Sequence, residues 1–105
     1  MDKLLEIIKA MGIPFAYDHF AEGEAPEPPF ICYFLSDSDN FAADGKVYFK
    51  ANEVHIELYT DTKDLSVEQQ VEAVLDEHGI FYDRSEVWIE SEKLYEVLYS
   101  FEMEA

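Results

Sequence analysis

A change of hydrophobic period in mid-chain restricts this sequence more than any other feature. Along Glu53 to Thr60 the apolar residues Val54, Ile56 and Leu58 alternate with His55, Glu57 and Tyr59. That period of two, in β-favouring residue types, reads as a half-buried strand. Along Ser66 to Leu75, Val67, Val71, Val74 and Leu75 recur at helical spacing, with Glu68, Gln69 and Glu72 assigned to the wetter side. A strand and a helix that are each apolar on one side satisfy each other when the helix lies on the sheet.

The flanking segments supply the rest of such a layer. Asp2 to Met11 reads as a helix capped by Asp2, with Leu4, Leu5, Ile7, Ile8 and Met11 as its apolar stripe, stopped by Gly12 and Pro14. Phe15 to Phe20 reads as a strand, and Ala21 to Pro29, with three prolines and three glutamates, as a surface loop. Phe30 to Leu35 is almost continuously apolar, as a central strand would be, and Ser36 to Asn40 reads as the polar turn that ends it. Asp44-Gly45 before Lys46 to Phe49 carries a turn-then-strand signature. Lys50 to Asn52 either continues that strand or bulges, so Ala42 to Thr60 is a hairpin or one long irregular segment. Ser66, with Gln69 as its capping-box partner, starts a helix that ends at His78-Gly79. Extended segments from Ile80 through Arg84 to Glu90 and from Leu94 to Met103, joined by a turn near Ser91 to Lys93, close the chain. The second places Tyr95, Val97, Tyr99, Phe101 and Met103 on one face. The expected fold is α+β, one domain over residues 1–105, an antiparallel or mixed β-sheet with two α-helices packed on one face.

Charge narrows the function classes. Seven Lys plus Arg stand against 24 Asp plus Glu, a formal charge of -17. Binding to nucleic acid or anionic membrane is led by basic side chains meeting phosphate, so neither direct sequence-specific nucleic-acid binding nor membrane binding is expected. The acidity serves solubility, or attraction to a basic surface or cation, or the lining of a passage that must repel DNA. The single cysteine, Cys32, can form no intrachain disulfide, so a reducing compartment is expected. Met1 leads into an amphipathic helix, so neither a secretion signal nor a membrane span is expected.

No set of residues reads as a catalytic constellation. His19, His55 and His78 fall in different expected elements, and no pair has the i, i+4 spacing of a zinc protease. His78 is placed to meet the carbonyls at a helix end. An apolar strand should raise the pKa of Cys32. The acids from Asp37 onward fail as a calcium loop, because the sixth residue is Ala42 and the twelfth Tyr48, where glycine and glutamate are needed. Glycine-rich phosphate loops and nucleophile elbows are lacking. No enzyme activity, metal or cofactor is therefore expected. Arg84, the sole arginine, must find an acidic partner, either locally in Asp83 or Glu86 or across an interface.

Several phrases carry a family resemblance: the N-terminal helix, Asn40 to Tyr48, Val54 to Thr60 leading into Asp64-Leu65-Ser66 and the Glu72 helix, and Trp88-Ile89-Glu90 with Leu94 to Tyr99. Together they resemble the small tail-completion proteins, also called tail terminator or head-tail joining proteins, of long-tailed phages and prophages of Gram-positive bacteria. The resemblance implies a structural virion-assembly protein that caps the tail tube and joins it to the head connector. It implies a homo-oligomeric ring, commonly of six subunits, that meets tail-tube and head-connector proteins. The implied location is the host cytoplasm during assembly and then the virion head-tail junction. The alternative is a small cytoplasmic protein-binding or regulatory adaptor. For a ring, edge strands are the expected contact device. The candidate edges are Phe15 to Phe20, the Phe41 to Phe49 turn region and the long C-terminal strand. Phe41, Tyr48, Tyr95, Tyr99 and Phe101 are the candidate aromatic anchors, and Arg84 the candidate charged contact.

Overall fold

The computed structural model describes the backbone of residues 2–43 and 46–104 and the side chains of residues 3–36 and 53–103. Among these residues the elements run α1 (Asp2–Ala10), β1 (Phe15–Tyr17), β2 (Phe30–Ala43), β3 (Lys46–Thr60), α2 (Leu65–Glu77), β4 (Asp83–Ile89) and β5 (Leu94–Glu104). The strands form one sheet in the order β1-β2-β3-β5-β4. All neighbours are antiparallel except β1 and β2, which pair parallel from Phe15↔Ile31 to Tyr17↔Tyr33. A parallel neighbour needs a crossover of about a dozen residues, and residues 18–29 supply it. The sheet is therefore mixed, with two helices packed against it.

One apolar cluster holds the two layers together. Leu4, Ile7, Ile8 and Met11 from α1 and Val71, Val74 and Leu75 from α2 meet Ile31, Val54, Ile56, Leu58, Val97, Tyr99 and Phe101 from the sheet. The strand residues of this cluster are those that the period of two directs to one face, so both helices cover the same side. Most of these side chains are wholly buried, each contributing about 1.5–3 kcal/mol of transfer free energy. The Gln70 amide donates to the Met11 carbonyl at the end of α1 and ties the helices to each other.

Several expectations need correction. Ser36 to Asn40 is not a turn: β2 continues to Ala43 and β3 begins at Lys46, so the segment is a hairpin. Register shifts between Ser36 and Asp39 and between Phe41 and Ala42 absorb the polar residues as bulges. The first strand is only three residues long, because Asp18 takes a φ of 65° and turns the chain. Asp2 is the first residue of α1 rather than its cap. α2 starts before Ser66: Asp64 is the cap, its Oδ1 accepting from the Val67 N–H at 3.2 Å. Its other end follows expectation, with Gly79 at φ 68° and bonds from Gly79 N to Asp76 O and Ile80 N to Leu75 O. Residues 80–82 precede β4 instead of belonging to it. Finally, β5 is not an edge, since β3 and β4 flank it as far as Ser100.

Candidate functional site

Three surfaces are left once the helices are seated: an ion cluster beside α2, the sheet face that no helix covers, and the open edges. The ion cluster contains the largest departure from the sequence reading. Glu68 lies three residues before Val71 and seven before Leu75, on the apolar stripe, and it is only 3% exposed. Its carboxylate meets the Arg84 guanidinium, and Lys63 Nζ lies 2.6 Å from Oε2. Arg84 also lies 3.2 Å from Glu86 and 3.5 Å from Glu72, while the Tyr99 hydroxyl donates to Glu72 at 2.7 Å. Burial works against the charged guanidinium, but hydrogen bonds to Glu68, Tyr99 and Glu86 and the charge of Glu68 together outweigh it and raise the Arg84 pKa above the usual arginine value. Lys63 holds the Glu86 carboxyl below the usual carboxylate range. Of the local partners considered for Arg84, Glu86 is engaged, and the principal one comes from α2.

On the uncovered face, cross-strand neighbours form rows. Phe30, Tyr59, Glu96 and Val87 make one row, Cys32, Glu57, Leu98 and Ser85 the next, and Phe34, His55, Ser100 and Asp83 the third. Phe30 stacks on Tyr59 with ring centroids 5.1 Å apart, and Phe20 from the crossover loop meets Phe30 edge-on. Under this cover Cys32 is 6% exposed, and burial followed by the Glu57 charge raises its thiol to about 11. Burial and then the charge of Glu96 in the adjacent row likewise raise the Glu57 carboxyl.

His55 is the best-placed base on this face. Its ring stacks on Phe34 at 4.6 Å, Nε2 lies 3.1 Å from Ser36 Oγ and 3.6 Å from Glu53, and Nδ1 lies 3.4 Å from Ser100 Oγ. A serine nucleophile needs a base whose far nitrogen is held by a carboxylate. Here the carboxylate sits on the same nitrogen as Ser36, and a hydroxyl stands at the other. The arrangement orients the imidazole but does not assemble an acyl-transfer centre. His78 donates its Nδ1–H to the Val74 carbonyl, 2.9 Å away, as its place at the helix end led one to expect. The His19 ring meets Asp18 at 2.9 Å, in solvent. Among the described residues no group of three or more His, Cys, Asp or Glu side chains is placed to hold a metal ion. No helix among them is long and apolar enough to cross a membrane.

The candidate contact residues scatter. Tyr99 and Phe101 have their side chains buried in the chain's own core. Tyr95 is half-buried against Trp88, ring centroids 4.7 Å apart. Arg84 is committed to its ion cluster. The side chains of Phe41 and Tyr48 lie outside the described residues; their backbones belong to β2 and β3 beyond the reach of any other strand. Sequence reasoning missed Phe81, 96% exposed between the end of α2 and β4, and the pair Val87 and Trp88 on edge strand β4. The one available signal for Phe81 was its place after Gly79, where the chain leaves the helix and regular burial lapses.

The edges are the most open part of the backbone. Among the described residues β4 is unpaired along its outer side, and β1 covers β2 only at Ile31 to Tyr33. Neither a protein-family model nor a curated protein matches the chain.

Proposed function

We propose that this chain is a non-catalytic assembly subunit that closes into a ring and caps a phage tail tube where it meets the head connector. The observation that carries this reading is a sheet open at two different edges, β1 and β2 on one side and β4 on the other. A ring is built from heterologous contacts, in which one surface of a subunit meets a different surface of the next, and unequal open edges supply such a pair. The family resemblance of the sequence supports the destination of the ring, and the acidic surplus suits a passage along which DNA slides without sticking.

Light scattering across protein concentration and salt, together with electron microscopy of purified tail tubes from the same genome, tests the reading. A closed oligomer of defined mass, in solution or on the tube end, is the expected outcome. A chain that stays monomeric in all conditions and leaves tube ends bare would replace this reading with that of a cytoplasmic protein-binding adaptor.

A further inference from the structure

Beyond Ser100 the sheet changes width. β4 begins at Asp83, opposite Ser100, so residues 101–104 of β5 pair with β3 on one side and have no strand on the other. No backbone bond from a turn or loop reaches them among the described residues. Beside this end of β5 an open groove of about 930 Å³ lies between residues 78–83, which lead into β4, and residues 100–103 of β5. Its lining includes Lys3, Phe81, Asp83, Ser100, Phe101 and Glu102. Four residues of free strand edge span about 13 Å, and alternate residues there turn their N–H and C=O groups outward. Phe81, almost wholly exposed, stands among the lining residues.

A second feature matches this vacancy. From Asn40↔Lys50 through Ala43↔Lys46, β2 and β3 pair only with each other, because β5 reaches no further than Ala51↔Glu104 and β1 no further than Tyr33. This two-stranded arm leaves the sheet at the same end as the groove, since Ser36, Glu53 and Glu102 are register neighbours. The register shift between Ser36 and Asp39 lies at its base, where a bulge bends a strand. An isolated two-stranded hairpin is marginal in water, so the arm gains from a partner. Its charge differs from that of the rest of the chain: residues 37–50 hold two lysines and three aspartates, the remainder five cations against 21 acids. With one net negative charge, the arm adds little repulsion when copies of a chain with a charge of -17 approach each other.

We infer that the β2–β3 arm of one copy lies in the groove of the next and extends its sheet along residues 101–104, in the place where β4 stops. This names the contact within the ring proposed above and rests on that reading. The occupant is a second copy of the chain. One subunit gives its arm and offers its groove to a different neighbour, so the contact propagates head to tail.

Complementation tests it. One variant lacks the arm, with residues 41–49 replaced by Asn-Gly so that Asn40 and Lys50 close a two-residue turn. The other is Phe81→Asp, a substitution at a solvent-facing side chain that leaves the core untouched. Circular dichroism and thermal unfolding confirm that each is folded before mixing, and a Phe81→Arg variant replaces Phe81→Asp if the latter is not. The wild type is expected to form a closed oligomer, each variant alone to lose at least tenfold in self-association, and the two variants to bring back no ring. Equal mixtures of arm-deleted chain and wild type should give short, terminated assemblies, because a chain without an arm caps the series. Amide exchange at 101–104 should slow at least tenfold in the wild-type oligomer relative to the arm-deleted chain. Wild-type rings that survive both variants, or exchange at 101–104 unchanged on assembly, would overturn the contact and leave the tube-capping reading standing. A wild type that never associates, on tubes or off them, overturns both.

Discussion

The placement of one carboxylate illustrates how a single residue is decided by its neighbours. Glu68 occupies an apolar-stripe position on α2, and a carboxylate there is tolerated because Arg84 and Lys63 converge on it from β4 and the α2 approach. Residue type hid this from the sequence: the helical period puts position 68 in line with Val71 and Leu75, yet glutamate reads as solvent-facing. The sole arginine was the available clue, since in a chain so short of cations its partner has to be consequential. Truncating one member of a buried ion pair costs more than removing both, because the survivor keeps its desolvation penalty. Arg84→Met should therefore lower stability by about 2–3 kcal/mol in urea titrations, less than for a fully enclosed pair since Lys63 remains and Arg84 is partly exposed. Glu68→Leu combined with Arg84→Met should recover most of that loss. A single substitution that changes stability by under about 0.5 kcal/mol, the range of ordinary surface changes, would show the cluster to be dispensable.

Elements were legible where one face is wet and one is dry. The alternation in β3 and β5 and the stripe of α1 placed their apolar residues on the core side, and that of α2 did so except that it left Glu68 outside; in a strand a one-residue error would turn every apolar side chain outward. Legibility failed where polar residues enter a strand. Ser36 to Asn40 has turn composition, yet its backbone stays in β2 because β3 offers partners across a bulge. The start of α2 was missed for a related reason: Asp64 and Ser66 are both good caps, and the sequence does not weigh them. The edges were beyond reach, because strand order depends on which hairpin docks beside which. The uncovered face carries a pH signature of its own. Glu57 has its carboxyl pKa raised above the ordinary 4.5 by burial and by Glu96. The folded state thus holds this proton more tightly than the unfolded one, and stability falls as pH rises from the unfolded value through the folded value. Above both, the charged carboxylate is a standing cost. Glu57→Gln should raise the urea midpoint at pH 7, and the advantage should vanish below pH 4, where the wild-type residue is protonated in both states. An advantage that persisted unchanged into acid would mean that the charge of Glu57 is not what costs stability.

At the scale of the molecule, a charge of -17 sets two opposed responses to salt. Ion pairs such as Lys63–Glu86, Arg84–Glu68 and Lys93–Glu90 weaken as they are screened. Repulsion among the unpaired acids weakens too, and that relief stabilises the fold and any association between copies. Geometry decides which effect wins. The principal extents are 50, 30 and 23 Å, whereas the Debye length is about 30 Å at 0.01 M salt and about 10 Å at 0.1 M. At the lower concentration charges on opposite sides of the molecule feel each other, and at the higher one only near neighbours do. Contact pairs such as Lys63 and Glu68, at 2.6 Å, lie far inside either length and lose little. Thermal stability should therefore rise with added NaCl, by several degrees between about 0.01 and 0.3 M, with most of the gain below about 0.1 M where the Debye length falls beneath the molecular dimensions. KCl at equal ionic strength should act identically, because the effect belongs to the ion atmosphere rather than to a bound cation. A melting temperature that stayed flat or fell over this range would place the acids in compensated positions, and the repulsion between copies invoked for the ring contact would lose its basis.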